Sequence, residues 1–461
     1  MLFDINFKSG IAFEDCEGRT LSYDALSMLC QNMSDIDLPR GIAFILSDNN
    51  IESIALFISL INSKVVPLLL SKDLDEDLLK SYFTIYKPLY IVAPKYKFIE
   101  FSDEKILDFL DYSLMYTKFQ RYHINESLAF LLSTSGTTGS PKLVRHSYIN
   151  LIESARNVAK ALNLTHEERA MATLPMFFTQ GLNVILSNIF AGGTVLLNNK
   201  SLMSKEFWNF LLNSDVTSIT GVPYSYEIMI RLGLLRKEIP TLKILNQGGG
   251  RLSDITYQKI AIYAKDNGKK FIPTYGSTET TSRMCYLDPE LSYIKIGSIG
   301  KPIPSGKVEL VDDNGTIIQK ENTIGEIVYY GPNVTMGYAT SIDDLLLGDE
   351  RKGKYYTGDM AYFDADGCLF IVGRKGRFVK IFGYRVSLDE VEKLLTAEFG
   401  REFACSGDDR CIKIYHEQNI NDDEIIDYIS IKIGIIRSAF KSIRIDKIPR
   451  NDYGKILYKL L

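Results

Sequence analysis

One segment of this 461-residue chain reads Ser133-Thr-Ser-Gly-Thr-Thr-Gly-Ser140-Pro-Lys142, in which eight consecutive residues are serine, threonine or glycine. It follows the apolar run Leu128-Ala-Phe-Leu-Leu132 and precedes a predicted helix from about Ser147. Small hydroxylated residues between a strand and a helix supply N–H and O–H donors and leave room for phosphate oxygens. Lys142 adds a cation. The segment therefore predicts a phosphate-binding loop, and a flexible polar surface loop is the alternative.

This loop is not a Walker A motif. That motif requires GxxxxGK[ST], whereas Gly136, Gly139 and Lys142 are three residues apart. Pro141 would also break a helix that started directly after the loop.

Outside this loop, apolar strand-like runs alternate with amphipathic helix-like runs. Gly41-Ile-Ala-Phe-Ile-Leu46 precedes a helical stretch from Ile51 to Asn62, and Leu242-Lys-Ile-Leu245 precedes one from Asp254 to Ala264. This alternation is typical of a largely parallel sheet covered by helices. The predicted fold class is α/β.

Beyond about residue 295 the pattern changes to hairpins. Val308–Val311 and Thr316–Ile318 flank an Asn-Gly turn, and Ala361–Phe363 and Cys368–Val372 flank an Asp-Gly turn. A β-rich subdomain is therefore predicted at about 295–374, followed by a short mixed segment.

Composition limits the possible partners. The chain has 53 Lys and Arg against 57 Asp and Glu, a net charge of −4, so there is no basic footprint for nucleic acid or anionic membrane. The N-terminus carries Asp4 and Lys8 where a secretory signal needs an unbroken apolar stretch, and the apolar segment 51–70 is interrupted by polar residues. We expect a cytoplasmic protein with no membrane span and a small-molecule or protein partner.

Cysteine and histidine spacing argues against structural zinc and disulfides. The six cysteines form no CxxC pair, and the four histidines form no HxxxH or HExxH motif. Buried reduced thiols are expected.

Six further motifs follow the loop in order: Gly248-Gly-Gly250, Tyr275-Gly-Ser-Thr-Glu279, Tyr356-Thr-Gly-Asp359, Gly373-Arg374, Gly383-Tyr-Arg385 and Pro449-Arg-Asn-Asp-Tyr-Gly-Lys455. With the loop, they resemble the adenylate-forming superfamily of acyl-CoA synthetases, nonribosomal adenylation domains and luciferases. Fainter similarity begins near Arg19, so the resemblance covers nearly the whole chain. It implies a core at 1–374, which includes the β-rich subdomain, and a small α+β C-terminal lid at 375–461.

The resemblance assigns ATP and AMP binding to Thr134, Ser135, Gly136, Thr137, Thr138, Gly139, Lys142, Gly248, Gly249, Gly250, Tyr275, Gly276, Ser277 and Asp359. The residue types fit these roles. Tyr275 offers an aromatic face to a purine, and Thr278 offers a hydroxyl to a phosphate. Glu279 is a hard oxygen ligand for Mg²⁺. Asp359 can accept hydrogen bonds from ribose hydroxyls. A buried turn at 275–279 and a turn aspartate at 359 are the structural alternatives.

Other residues receive catalytic or conformational roles from the same resemblance. Arg374 resembles the arginine that contacts ribose or the α-phosphate, and Lys455 resembles the lid lysine that steadies the joining carboxylate and phosphate. With Thr278 and Glu279 they form the predicted catalytic set. Gly376 takes the place of the lid hinge, and Gly383 belongs to the loop that faces the thiol channel. The lid is short for the family.

The acid substrate is predicted from the stretch Pro175-Met-Phe-Phe178-Thr179. Thr179 stands where amino-acid-activating relatives place an aspartate for the substrate ammonium, and Phe178 stands where many acyl-CoA synthetases place a histidine. Phe178, Thr179 and Gly250 are the predicted acyl pocket. A buried ammonium without a carboxylate is costly, so a non-amino acid is favoured.

The implied reaction forms an acyl-adenylate with release of pyrophosphate and then an acyl thioester. Its cofactors are ATP and Mg²⁺, and the acceptor is CoA or the phosphopantetheine of a separate acyl carrier protein. A basic group at Arg437, Lys441 and Arg444 could dock such a carrier or be a solvated helix face. Amino-acid adenylation for a separate carrier and a non-catalytic nucleotide-binding relative are the competing functions.

Overall fold

The computed structural model describes residues 2–133, 142–381, 384–408, 410–451 and 454–461. They form two compact units: a first unit of Met1–Lys307 with Tyr330–Tyr355, and a second unit of Val308–Tyr329 with Tyr356–Leu461. Segments 308–329 and 356–374 therefore group with 375–461 rather than with the rest of the predicted core. The functional lid boundary at 374/375 stays a prediction.

The helices in the described residues are α1 Tyr23–Asp35, α2 Ile51–Asn62, α3 Glu76–Tyr86, α4 Tyr148–Leu162, α5 Thr179–Ala191, α6 Lys205–Asn213, α7 Pro223–Arg231, α8 Asp254–Asp266, α9 Leu388–Phe399 and α10 Asp422–Ile433.

The strands in the same residues are β1 Ile11–Asp15, β2 Thr20–Ser22, β3 Ile42–Ser47, β4 Val66–Ser71, β5 Tyr90–Pro94, β6 Ser102–Phe109, β7 Tyr112–Thr117, β8 Leu128–Ser133, β9 Leu143–Ser147, β10 Arg169–Ala172, β11 Thr194–Leu197, β12 Ser218–Gly221, β13 Ile244–Gln247, β14 Lys270–Ser277, β15 Ser282–Tyr286, β16 Ser298–Pro302, β17 Lys307–Val311, β18 Gly325–Tyr330, β19 Gly337–Ala339, β20 Lys354–Phe363, β21 Leu369–Arg374, β22 Phe378–Ile381, β23 Tyr384–Ser387, β24 Ala404–Gly407, β25 Ile412–His416 and β26 Phe440–Arg444.

The first unit contains two helix-covered sheets, which confirms the predicted α/β class. One has the strand order β16-β15-β14-β13-β12-β10-β11-β1-β2, and the other has the order β19-β9-β8-β4-β3-β5-β7-β6. Strands β10 to β14 pair in parallel. Ligands of open parallel sheets bind beyond the carboxyl ends of the strands. Here β10, β13 and β14 lead into the predicted acyl pocket, the glycine triplet and the Tyr275–Glu279 motif.

Helix α2 shows why these segments fold as they do. Asn50 caps its N-terminus by accepting a hydrogen bond from the Ser53 amide. Every residue from Ile51 to Ile61 is buried, so the helix lies inside the protein, and most of its side chains are apolar. The apolar segment that begins at Ile51 is therefore an element of the protein core, as its sequence predicts.

The second unit is richer in antiparallel strands. Its sheets have the orders β17-β18-β20-β21, β22-β23 and β24-β25-β26, with α9 and α10 packed in one apolar core. The predicted hairpin at 361–372 is present, with Phe363 opposite Leu369. The predicted strand at 316–318 is not formed, because the turn leaves only a single bridge from Val311 to Ile317.

Two further features bear on the sequence-based expectations. None of the helices in the described ranges combines the length and apolarity that a membrane crossing requires. The cysteines are free, and Cys30, Cys285, Cys368 and Cys405 are buried.

Candidate active site

The predicted phosphate loop lies between two antiparallel strands. β8 ends at Ser133, and Ser133 is the register partner of Leu143 in β9. The helix predicted from about Ser147 is α4, which is capped by Ser147, and the unpredicted strand β9 lies between the loop and that helix. Strand β9 was missed because it contains Arg145 and His146, yet it is fully buried. The loop residues Thr134, Ser135, Gly136, Thr137, Thr138 and Gly139 lie outside the described residues.

Lys142 is connected to the predicted metal ligand through a tyrosine. Its Nζ lies 3.4 Å from the centroid of the Tyr338 ring. The Tyr338 hydroxyl donates a hydrogen bond of 2.8 Å to Glu279 Oε1. Strand β19 sets this geometry, because Tyr338 pairs with Val144, two residues after Lys142. Tyr338 belongs to none of the predicted motifs, and the one signal for it in the sequence is an aromatic residue after Gly337.

Tyr338 stays a neutral donor. Burial and the neighbouring Glu279 charge raise its pKa to about 12. At neutral pH its proton is therefore available for the Glu279 carboxylate, and its ring offers a negative face to Lys142.

The main chain of Glu279 is also fixed. Its carbonyl accepts hydrogen bonds of 3.0 Å from both the amide and the hydroxyl of Thr335. Arg351 donates to the same carbonyl and to Thr335 Oγ1, and its guanidinium lies 4.5 Å from the Tyr338 ring centroid. Arg351 is a second residue of the candidate site that belongs to none of the predicted motifs.

The Tyr275–Glu279 motif makes a tight reversal at the end of β14. A Cβ at Gly276 would lie 1.5 Å from the carbonyl oxygen of Ser282, so only glycine fits there. Thr281 and Ser282 have φ of 47° and 95°, and this left-handed backbone returns the chain into β15. The turn places Tyr275, Ser277 and Thr278 at the carboxyl edge of the sheet.

The predicted acyl-pocket residue Thr179 contacts this motif. Thr179 is the first residue of α5, and its hydroxyl donates a hydrogen bond of 2.9 Å to Thr278 Oγ1. Phe178 precedes the helix and packs on Phe177 with ring centroids 4.8 Å apart. The structure thus brings together one predicted acyl-pocket residue and one predicted catalytic residue.

The glycine triplet lies beside α5. A Cβ at Gly248 would lie 2.7 Å from Gln180 Nε2, and Gly249 has a left-handed φ of 75°. A Cβ at Gly250 would lie 3.2 Å from Pro223 Cγ. Thr274 Oγ1, 2.8 Å from the same Cβ position, and Gln180, which was not predicted from the sequence, leave little room for a side chain at 248.

In the second unit, Asp359 and Arg374 are register partners on β20 and β21. Arg374 Nε lies 2.9 Å from Asp359 Oδ1. The Asp359 side chain is 10% exposed and that of Arg374 is 66% exposed. Arg374 is thus paired with a carboxylate, and that carboxylate belongs to the predicted ribose ligand.

Glu326 supports this hairpin. Its carboxylate accepts 2.9 Å and 3.2 Å hydrogen bonds from Lys375 Nζ and the Gly358 amide. It is mostly buried, and its position beside the Asp359 turn was not predicted.

The remaining predicted residues of the second unit lie elsewhere in it. Gly376 is in a short 3₁₀ turn, Lys375–Arg377. Lys455 is exposed, in a turn where its amide donates to Asn451 Oδ1 at 2.9 Å. Gly383 lies outside the described residues.

The residues around Glu279 fit Mg²⁺ bound to a nucleotide. The described residues contain no cluster of three or more His, Cys, Asp or Glu side chains. Mg²⁺ does not need such a cluster, because it typically binds one or two carboxylates together with phosphate oxygens and water. Glu279, beside the cation Lys142, matches that pattern.

Residues 45–339 match the family model described as AMP-binding enzyme, which is more than half of the chain. The chain belongs to this family. The predicted adenylate-forming ligase class is therefore confirmed for this AMP-binding enzyme.

Curated relatives of this AMP-binding enzyme are acid–CoA ligases by name. The chain is 28% identical to the 2-succinylbenzoate–CoA ligase of Geobacillus sp. over 350 residues, 74% of this chain and 70% of that relative. It is 28% identical to the oxalate–CoA ligase of Arabidopsis thaliana over 348 residues, 72% of this chain and 66% of that relative.

Solved structures confirm the fold. The O-succinylbenzoate coenzyme A synthetase of Bacillus subtilis in complex with AMP superposes with a TM-score of 0.78 at 22% identity, covering 99% of this chain and 96% of that one. ATP-bound MatB of Rhodopseudomonas palustris gives a TM-score of 0.78 at 19% identity, covering 100% and 98%.

Proposed function

We propose that this AMP-binding enzyme activates a carboxylic acid with ATP and Mg²⁺, releases pyrophosphate, and transfers the acyl group to CoA. The observation that carries the proposal is the chain of contacts from Lys142 through Tyr338 to Glu279. It holds a cation for phosphate beside a carboxylate for Mg²⁺. The names of the relatives support CoA as the acceptor.

The first step needs positioned charge rather than a side-chain nucleophile. The substrate carboxylate attacks the α-phosphorus and pyrophosphate leaves. In this proposal Lys142 stabilises phosphate oxygens and Glu279 holds Mg²⁺. Thr278, oriented by Thr179, donates to a phosphate oxygen.

Residues of the second unit carry the other predicted roles. Asp359 accepts hydrogen bonds from the ribose hydroxyls, and Arg374 moves from Asp359 to the ribose or α-phosphate. The high exposure of Arg374 supports this exchange of partners, because a half-solvated pair is weak. Lys455 steadies the joining oxygens, and Gly376 and Gly383 serve the hinge and the thiol channel.

The acid is proposed to lack an α-ammonium group. The Thr179 hydroxyl is used for Thr278, and it offers no charge to an ammonium ion. Amino acids therefore lose their hydration without gaining an ion pair at this position.

CoA is favoured over a carrier protein as the acceptor. Arg437, in the basic group that might dock an acidic carrier, is paired with Asp423 at 2.5 Å and with Asp427. These pairs reduce the positive charge of the surface. The buried free cysteines support the proposed cytoplasmic location.

The test measures the two half-reactions separately. Acid-dependent ATP–pyrophosphate exchange reports adenylation, and thiol consumption reports transfer to CoA or to a phosphopantetheinylated carrier. The acids include 2-succinylbenzoate, oxalate, simple alkanoates and amino acids. We expect exchange with at least one non-amino acid and faster transfer to CoA. Exchange with amino acids only, or with no acid, would overturn the proposal.

A further inference from the structure

The turn that carries the proposed lid lysine is a narrow hairpin outside the numbered strands. An antiparallel bridge pairs Arg450 with Ile456 on the two sides of the turn. The Leu457 amide donates a hydrogen bond of 2.8 Å to the Pro449 carbonyl. Lys455 itself is exposed. An isolated hairpin is only marginally stable, so the position of Lys455 depends on the contacts that hold the two ends of this hairpin.

Tyr458 anchors the chain directly after the hairpin. Its hydroxyl donates a hydrogen bond of 2.9 Å to Glu392 Oε2. The Arg377 guanidinium carbon lies 3.7 Å from the centroid of the Tyr458 ring, which is a cation–π contact. Burial and the adjacent Glu392 charge raise the pKa of Tyr458, so its hydroxyl keeps its proton at neutral pH. Tyr458 is therefore held at two points, through its ring and through its hydroxyl.

The groups that hold Tyr458 are themselves fixed. Arg377 Nη2 donates to Glu392 Oε1 at 2.6 Å, and Arg377 Nη1 donates to the Cys405 carbonyl at 3.1 Å. Arg377 Nε pairs with Asp389. The Cys405 amide donates to Glu392 Oε1 at 2.5 Å. The side chains of Arg377 and Glu392 are 15% and 14% exposed, so salt and solvent screen this pair less than a surface pair.

The other end of the hairpin has a weaker anchor. Arg450 pairs there with Glu402, whose side chain is 52% exposed. Ion pairs of such exposure contribute little, because solvent screens them and two long side chains lose entropy. Tyr458 follows Lys455 by three residues, and three residues span at most about 10 Å. The better-fixed anchor thus limits where Lys455 can lie.

The apolar contacts of Tyr458 serve the C-terminal segment rather than the helices of the second unit. The apolar core of α9 and α10 forms without it. Tyr458 packs instead in a smaller cluster that includes Tyr415, Ile448 and Ile456. Ile456 is the residue next to Lys455. Removing the Tyr458 hydroxyl should therefore disturb the lysine turn and leave the helical core intact.

The anchor begins at the residue after the proposed hinge. Arg377 directly follows Gly376, and Glu392 and Tyr458 also come after Gly376 in the chain. Their mutual contacts therefore need not break when the backbone turns at Gly376. Through them, Lys455 moves together with Arg377.

We propose that Tyr458 is a positioning residue for the adenylation step: held by Glu392 and Arg377, it keeps Lys455 where it reaches the joining oxygens. The proposal rests on the function proposed above and on the role of Lys455 in it. Tyr458 acts through Lys455 rather than on the reacting atoms. Transfer to CoA, in which Lys455 has no proposed part, does not depend on Tyr458.

The test measures the two half-reactions of the whole protein separately. The acid is the one that supports the fastest exchange among 2-succinylbenzoate, oxalate and simple alkanoates. Tyr458→Phe keeps the ring beside Arg377 and removes the hydroxyl. We expect kcat for ATP–pyrophosphate exchange to fall about 10-fold, with KM for ATP and for the acid unchanged. Transfer from the chemically prepared acyl-adenylate to CoA should keep its rate.

Matched variants control for the loss of a tyrosine hydroxyl and of a charge. Tyr428→Phe changes a tyrosine of α10 that stacks on Phe399 instead of on Arg377, and it should keep both rates. Glu392→Gln removes the charge that accepts the Tyr458 hydrogen bond, and it should show the same selective loss as Tyr458→Phe. If Tyr458→Phe does not fold, Glu392→Gln provides the same comparisons.

A double mutant separates positioning from general stability. When Tyr458 acts through Lys455, Tyr458→Phe causes no further loss of exchange in the Lys455→Ala background. An independent structural effect would instead lower exchange again by about 10-fold, because independent effects add in free energy. Non-additive losses are therefore the expected result.

Each contrary outcome has its own meaning. Normal exchange by both Tyr458→Phe and Glu392→Gln, equal losses in exchange and transfer, or additive losses in the double mutant would overturn the proposal. Normal exchange by Lys455→Ala would remove the role of Lys455 and the proposal with it. Absence of exchange by the wild type with every acid overturns the proposed function instead.

Discussion

The hydroxyl of Tyr338 donates a 2.8 Å hydrogen bond to Glu279 Oε1, while Lys142 lies over the ring of the same tyrosine. One residue thus holds the proposed metal ligand and the proposed phosphate-binding cation at a fixed separation. Two segments far apart in the sequence meet through it.

Tyr338→Phe removes the hydrogen bond to Glu279 and keeps the ring under Lys142. We expect kcat for pyrophosphate exchange to fall about 10-fold or more, with a higher Mg²⁺ concentration needed for half-maximal rate, since hydrogen bonds to charged groups contribute about 1.5–3 kcal/mol. KM for the acid should not change. Tyr330→Phe is the matched control, because that ring also lies near lysines. An unchanged Mg²⁺ requirement would contradict the role of Tyr338.

Lys455→Ala tests the proposed lid lysine. The side chain is exposed, so we expect an unchanged unfolding midpoint. Acid-dependent exchange should fall at least about 100-fold, as is typical when a charge-stabilising donor is removed. Lys459→Ala, at another exposed lysine nearby, should retain full exchange. Normal exchange by Lys455→Ala would rule out a role of this lysine in adenylation.

Asp359→Asn tests ribose recognition. The amide cannot accept hydrogen bonds from both ribose hydroxyls as the carboxylate does, and it frees Arg374. We expect KM for ATP to rise about 10- to 100-fold in steady-state exchange. Asp366→Asn, at the exposed turn of the same hairpin, is the control. If both variants bind ATP normally, Asp359 is only a turn residue.

Gly376→Ala tests the proposed hinge. A Cβ there would meet nothing within 4 Å, so we expect the fold and pyrophosphate exchange to be preserved. Transfer to CoA should slow about 10-fold if this residue absorbs a large backbone change. Gly276→Ala provides the contrast, because its Cβ would collide with the Ser282 carbonyl and lower the unfolding midpoint. Unchanged thioester formation by Gly376→Ala would place the hinge elsewhere.

His146 predicts an acid-sensitive component of stability. It is fully buried and stacks on Phe130 with ring centroids 4.2 Å apart. Burial, and then the Arg351 charge, lower its pKa from 6.5 to about 3. The folded protein keeps the ring neutral while the unfolded chain takes up a proton below about pH 6.5. This stabilisation is therefore complete above that pH and is lost as pH falls towards 3, by about 1.4 kcal/mol per unit.

The measurement compares urea unfolding of wild type and His146→Gln between pH 7 and 4.5. The wild type should lose stability more steeply as pH falls, and the difference between the two curves isolates His146. His123→Gln, at an exposed histidine, is the control. Parallel curves would show that His146 does not titrate on unfolding.

The sequence predicted the α/β class and several element positions because local signals agree with the tertiary structure there. Predicted helix 51–62 is α2, and the strand before the glycine triplet is β13. Strand β9 was not predicted, because Arg145 and His146 are residue types that are rarely buried. They are buried here because Glu350, main-chain carbonyl groups and Thr281, all distant in sequence, form hydrogen bonds with them.

Part of the candidate site was also predictable. Thr179, Thr278, Glu279, Asp359 and Arg374 belong to recognisable motifs, and the structure pairs Thr179 with Thr278 and Asp359 with Arg374. Tyr338, Arg351 and Glu326 were not found, because each acts through a neighbour that is distant in sequence. A short sequence motif contains no information about a contact between residues that are distant in the chain.

The sequence by itself determined the order of motifs, the family and the chemical type of each proposed ligand. Each motif is a short contiguous stretch, so its residue types and their spacing are read directly from the chain. Only the tertiary structure decided which of these groups touch. Strand pairing between β9 and β19 brings Tyr338 beside Lys142 and Glu279, and the return of β15 along β14 buries Arg283 beside Asn246. The physical reason is that cross-strand register and burial fix the distances and charges on which binding depends.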